Sequence, residues 1–181
     1  MSVNQPTLWL RIVALGGVAL CLTIAACRRQ PSTNLIGRAA PDFTLNDLDG
    51  NEVKLSTLRG KPVLIDFGAS WCMPCAMAAP HLQALHEKYE DEGLRVIGIS
   101  LDQSRDDARA FVRQHRITFP MLWADPNSQS VQELAEAINL GPIPRTLLID
   151  SKGVVRADLT GLHSPEDLAR ELIKVGINTG A

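Results

Sequence analysis

No run of lysine or arginine in the 181 residues is long enough to mark a nucleic-acid surface, and the formal net charge is only −2. Nucleic acid is therefore set aside as a partner. Cysteine is too sparse and too clustered for a disulfide framework. Cys21 and Cys27 lie in an N-terminal apolar segment, and Cys72 and Cys75 form a C-x-x-C. A structural zinc site needs four ligands, usually as a second C-x-x-C or paired histidines. That pairing is missing, since His81, His86, His115 and His163 are scattered. The patterns thus ask for no metal and no cofactor, and there is no internal repeat. What is present is a chain 45% hydrophobic and 21% charged, an ordinary globular balance. Its length lets a core form without disulfide staples.

Ile12 to Ala26 carries no charge for 15 residues and follows Arg11. That is the upper limit of a signal-peptide apolar region and short for a membrane span. The stretch ends Ile24-Ala25-Ala26-Cys27, which resembles the lipobox of bacterial lipoproteins, with Ile24 in place of the commoner leucine. Two readings stay open. Residues 1–26 are a lipoprotein signal peptide, cleaved before a lipidated Cys27, or they are an uncleaved membrane anchor. Both predict a chain anchored to a membrane and facing the periplasm or another extracytoplasmic space. Cys21 follows the large Leu20 and reads as an apolar residue of the segment. Residues 27–38 read as the lipidated cysteine and a tether, and 39–178 as the folded domain. Without residues 1–26 the net charge is −3, from 17 basic and 20 acidic residues.

The folded part alternates strand and helix. Pro41 to Leu45 and Val53 to Leu55 flank Asp49-Gly50, a hairpin signal. Val63 to Phe67 is a β-rich run bounded by Pro62 and Gly68, as a buried central strand would be. A helix is predicted from the C-x-x-C to about Glu92, ending at Gly93, and a second buried strand over Leu94 to Leu101. Ser104 to Asp107 resembles a capping box and opens a helix to His115. Phe119 to Trp123 is a short strand, and Val131, Leu134, Ala135 and Ile138 mark another helix. Strands at Thr146 to Asp150 and Val154 to Leu159 are joined by Ser151-Lys152-Gly153. Ser164-Pro165-Glu166-Asp167 opens the last helix. This order implies an α/β fold, a central mixed sheet flanked by helices with an N-terminal β-hairpin extension. Phe111 and Trp123 read as core, and His163 as a solvated loop residue.

The chemistry centres on Trp71-Cys72-Met73-Pro74-Cys75, placed after a buried strand at the start of a helix. A thiolate, not a thiol, is the nucleophile in disulfide exchange. Unpaired N–H groups and the positive end of the helix dipole favour an anionic sulfur at position 72. Cys72 is thus the expected nucleophile. Cys75, three residues further on, is the expected resolving thiol that attacks the mixed disulfide.

Asp66 to Cys75, as Asp-Phe-x-Ala-x-Trp-Cys-x-Pro-Cys, resembles the thioredoxin superfamily. Ala40-Pro41-Asp42-Phe43-Thr44-Leu45, Asp49-Gly50, Leu55-Ser56 and Leu58-Arg59-Gly60-Lys61 resemble its TlpA/ResA branch of extracytoplasmic proteins. The similarity runs from about Gly37 to Gly176 and implies the thioredoxin-like fold. It also implies a cis Pro144 opposite the cysteines, with Ile143 offering its backbone to an extended substrate peptide. By the same resemblance Trp71 covers the cysteine pair, and Asp66 is a buried acid that accepts the proton of Cys75. Three positions depart from the pattern. Ala78 stands where many relatives have glutamate, Gly98 where cytoplasmic thioredoxins have lysine, and Gly68 where an aromatic residue is usual.

The function this implies is a membrane-tethered reductase of disulfides in exported proteins. The resemblance points to cytochrome c maturation or copper-site assembly clients, with electrons from a membrane donor. Oxidation in the opposite direction stays open, because direction follows potential and partners. The rival from another class is a copper or metal carrier using the Cys72 and Cys75 thiolates. A peroxidase is disfavoured because the Pro-x-x-x-Thr-x-x-Cys pattern is missing.

Overall fold

The computed structural model describes residues 34–179. The segment holding Cys27, its proposed lipid and the preceding leader lies outside these residues. Among the described residues no helix is long and apolar enough to cross a membrane.

Among the described residues, seven strands and four α-helices follow the predicted order. They are β1 (Thr44–Asp47), β2 (Glu52–Lys54), β3 (Val63–Gly68), α1 (Met73–Tyr89), β4 (Arg95–Ser100), α2 (Arg105–His115), β5 (Met121–Trp123), α3 (Gln129–Ala137), β6 (Arg145–Ile149), β7 (Val155–Thr160) and α4 (Pro165–Leu172). One mixed sheet contains all seven strands in the order β2-β1-β5-β4-β3-β6-β7. The β3-β4 and β4-β5 pairs are parallel, each joined by a helical crossover. The β6 strand runs antiparallel to β3 and turns back into β7. This is the thioredoxin-like α/β architecture with the hairpin β1-β2 added at one edge.

Side chains alternate between the two faces of the sheet. Ile65, Phe67, Ile97, Ile99, Leu147 and Ile149 pack with Phe43, Leu45 and the α3 residue Leu134. Leu64, Val96 and Leu148 pack with Leu82, Leu85 and Tyr89 of α1 and Leu168 and Leu172 of α4. Burying a leucine fully contributes roughly 1.5–3 kcal/mol, so this two-layer core is the main source of stability.

Several boundaries differ from the sequence reading. Leu35 to Arg38, assigned to the tether, belong to the folded body. Leu35 is buried, and Gly37 N–H donates to the Val155 carbonyl at 2.8 Å while Val155 N–H donates to the Arg38 carbonyl at 2.9 Å. The α1 helix stops at Tyr89, and a turn carries the chain to Gly93, whose φ of 98° suits glycine. The α2 helix ends at Arg116 in the left-handed region (φ 53°), with no glycine to announce it. Phe111 and Trp123 are half-buried at the margins of the core rather than inside it. His163 is half-buried too, its carbonyl accepting a hydrogen bond from His81 Nδ1 at 3.0 Å.

Candidate active site

The C-x-x-C lies where β3 ends and α1 begins. Cys72 is the N-cap of α1, and its Sγ accepts the N–H of Cys75 at 3.2 Å. Pro74 occupies the first turn, where a missing N–H leaves no intrahelical bond unmade. Cys72 and Cys75 are joined by a disulfide with Cα atoms 5.2 Å apart. Trp71, the residue before the pair, is 68% exposed, and Met73 and Met77 beside it on α1 are exposed as well. Exposed apolar surface thus lies close to the cysteine pair in the chain.

The two sulfurs have different neighbours. Cys72 Sγ lies 3.8 Å from the carbonyl oxygen of Ile143, and the Ile143–Pro144 peptide is cis. The sequence motif at 141–146 is therefore brought directly across from Cys72, and Ile143 packs against both cysteines and Ala69. Cys75 turns inward instead. It lines a cavity of about 20 Å³ together with Asp66, Gly68, Gly98 and Asp102. That volume is enough for one water molecule.

Asp66 is held in this cavity wall by strand register. It pairs with Gly98 on β4 and with Thr146 on β6, all three on the face that carries α1. Its side chain is 8% exposed, and Oδ1 accepts the Thr146 hydroxyl at 2.9 Å. Burial pushes the Asp66 carboxyl up to about 7, outweighing the hydrogen bond from Thr146, which acts to lower it. An acid poised there exchanges protons at neutral pH.

The two glycines in this wall have distinct effects. A Cβ at Gly68 would stand 3.4 Å from Cys75 Cβ, 3.5 Å from Cys75 Sγ and 3.6 Å from Asp66 Oδ2. The space this glycine leaves open therefore borders both Cys75 and Asp66. At Gly98 a Cβ would come within 2.6 Å of Met121 Sδ and Cε. Met121 thus fills the place beside Asp66 from which a lysine at position 98 would reach it.

A residue that sequence reasoning passed over is Asp102. It is almost fully buried, and its carboxyl group accepts the Ser70 N–H at 3.0 Å, the Ser70 hydroxyl at 2.8 Å and the Ser100 hydroxyl at 2.9 Å. Trp123 Nε1 donates to its backbone carbonyl at 3.0 Å. Asp102 therefore ties the end of β4 to the loop that precedes Trp71 and Cys72. The signal was an acid directly after an apolar strand, but its partner Ser70 is 32 residues away in the chain.

A match to the AhpC/TSA family spans residues 36–158. The thiol-disulfide oxidoreductase ResA of Geobacillus kaustophilus is 35% identical over 137 residues, 76% of each chain. ResA of Bacillus anthracis is 31% identical over 140 residues, covering 77% of this chain and 78% of its own. Among solved structures, a candidate thiol:disulfide interchange protein DsbE from Chlorobium tepidum superposes with a TM-score of 0.70 at 33% identity. That match covers 78% of this chain and 98% of the other. Disulfide exchange at a C-x-x-C is the chemistry these names share with the site just described. The chain belongs to the AhpC/TSA family and, within the thioredoxin superfamily, is a ResA/TlpA-like thiol–disulfide oxidoreductase.

Proposed function

We propose that the protein is a membrane-tethered reductase that transfers two electrons from the Cys72–Cys75 dithiol to disulfides in exported proteins. The observation that carries this reading is the asymmetry of the pair. Cys72 meets the backbone of Ile143 in the loop before the cis proline, and Cys75 meets the Asp66 cavity.

In this reading the Cys72 thiolate attacks one sulfur of the client disulfide. A mixed disulfide forms, and the first client thiolate leaves. The N–H of Cys75 and the start of α1 favour the attacking anion. Asp66, through the one-water cavity, takes the proton of Cys75. The resulting thiolate attacks Cys72 Sγ, closing the Cys72–Cys75 disulfide and releasing the second client thiolate. Ile143 and Pro144 hold the client strand by backbone pairing, and Trp71 shields the reacting sulfurs. A membrane donor then returns two electrons to the pair.

The tether is Cys27, lipidated after removal of residues 1–26, or an uncleaved N-terminal helix. Either keeps the domain on the extracytoplasmic side of the membrane. Apocytochrome c and the copper-site proteins of respiratory oxidases are the proposed clients, a choice supported by resemblance to the ResA/TlpA branch. Cys75→Ser tests the exchange mechanism. Expressed in cells, it should accumulate thiol-sensitive adducts through Cys72, visible on non-reducing gels and by mass spectrometry. Absence of such adducts, with the variant folded and exported, would refute it.

A further inference from the structure

On the face of the sheet opposite the Asp66 cavity, one ion pair interrupts an apolar layer. Arg145, the residue after Pro144, is 6% exposed and shares its strand face with Leu147 and Ile149. Its Nε and Nη2 donate to the two carboxyl oxygens of Asp158 on β7 at 2.8 and 2.7 Å. The two side chains are 7% and 15% exposed. Its Nη1 donates to the backbone carbonyl of Asn139 at 2.9 Å.

Stability does not explain an arginine at this position. Desolvation offsets most of the attraction in a buried pair, and well-packed apolar replacements are often neutral or stabilising. What an apolar side chain cannot do is bind the Asn139 carbonyl. Asn139 follows α3 in the left-handed region (φ 48°) and opens the segment Leu140-Gly141-Pro142-Ile143-Pro144. That segment is tied at its start by Leu140 N–H to the Ala135 carbonyl and at its end by Gly161 N–H to the Pro144 carbonyl, both at 2.8 Å. Arg145 adds a bond from the sheet to the first residue of the loop. Its planar fork, locked by Asp158, gives that bond a fixed direction.

We propose that Arg145, oriented by Asp158, is a positioning residue for the client. It sets the 139–144 loop so that the Ile143 backbone stands at a fixed distance from Cys72 Sγ. The inference rests on the exchange reading above and deepens it. The favoured substrate is a disulfide carried on an extended polypeptide, whose backbone can pair with Ile143. A small organic disulfide has no backbone to pair and does not use the loop. A misplacement of about 1 Å in such an arrangement costs on the order of 100-fold in rate.

The test uses the full chain in detergent with two variants. Arg145→Met combined with Asp158→Leu removes both charges, so that no lone charge is left buried. Arg145→Lys keeps a charge opposite Asp158 but cannot serve both Asp158 and Asn139. Each is compared with wild type on a disulfide-bonded extended peptide and on bis(2-hydroxyethyl) disulfide. The reduction potential of the Cys72–Cys75 pair is measured alongside. The expected result is a tenfold or greater fall in the ratio of peptide to small-disulfide kcat/KM, carried by KM, with the potential unchanged. A ratio within twofold of wild type in a folded variant would overturn the proposal, as would an equal fall with both substrates. Loss of folding in both variants would make the pair a stability element and overturn it too. A wild-type protein inert toward the peptide, by contrast, would defeat the exchange reading itself.

Discussion

Replacing Asp66 by asparagine removes the one buried group in the site whose carboxyl is lifted to about 7. The shift from an ordinary 3.8 is about three pH units, and each unit corresponds to 1.36 kcal/mol. Between pH 3.8 and 7 the folded chain keeps a proton that the unfolded chain has lost. Unfolding therefore releases a proton, and stability falls as pH rises. The slope is about 1.4 kcal/mol per pH unit, and the accumulated loss approaches about 4 kcal/mol above pH 7. The Asp66→Asn side chain carries no charge and still offers an oxygen to the Thr146 hydroxyl. Urea unfolding of the disulfide-bonded protein at pH 4, 5.5, 7 and 8.5, followed by tryptophan fluorescence, isolates the effect as variant minus wild type. The difference should grow with pH and favour the variant by at least about 2 kcal/mol at pH 8.5, the shortfall from 4 reflecting water entry around the charged form. Parallel stability profiles across this range would refute the assignment of a raised acid at Asp66. The same variant should gain stability and lose turnover, because Cys75 then has no proton acceptor. Its mixed disulfide with a client should persist at pH 7, where the wild type resolves it.

Two further substitutions test the walls of the same site. Gly98→Lys combined with Met121→Ala places a cation beside Asp66, which is directly paired with position 98. The carboxyl should fall by at least one pH unit in an NMR titration, and an unmoved midpoint would show that the lysine does not reach it. Asp102→Ala leaves the Ser70 N–H and hydroxyl and the Ser100 hydroxyl without their acceptor, at a cost of about 1–3 kcal/mol for each donor that stays dry. A urea midpoint equal to that of wild type would show that water replaces the carboxyl group.

The strand and helix order was legible because each element carries its own period and its own punctuation. Ser104 and Ser164 cap α2 and α4 as their spacing indicates, and the buried runs at β3 and β4 occupy the sheet centre. The core of the site was legible for the same reason, since Cys72 and Cys75 stand three positions apart at the start of one helix. What stayed hidden depends on strand register. Met121 lies over Gly98 because β5 pairs with β4 there, a relation that no short window contains. Asp102 meets Ser70 only after β4 is laid against β3. Arg145 and Asp158 came nearer to being readable: they are opposite charges in two strands joined by a predicted turn. Leu35 gave no signal, because two adjacent apolar residues in a polar stretch resemble a tether until β7 is there to pair with their neighbours.

The sheet also divides the work of the site. Asp66, Thr146, Gly98 and Met121 lie on the face beneath Cys75, where the proposed proton transfer takes place. Arg145 and Asp158 lie on the other face and govern where Ile143 stands relative to Cys72. Because consecutive residues on a strand point to opposite faces, Arg145 and Thr146 can serve client positioning and proton handling separately from adjacent positions. Mutations on one side should thus alter pH dependence without changing client preference, and mutations on the other should do the reverse. With alanine at 78 and glycine at 98, neither familiar charged neighbour is present to share the control of Cys75. The proton side then rests on Asp66, and its single titration, centred near 7, should set the pH at which resolution outpaces the return of the mixed disulfide.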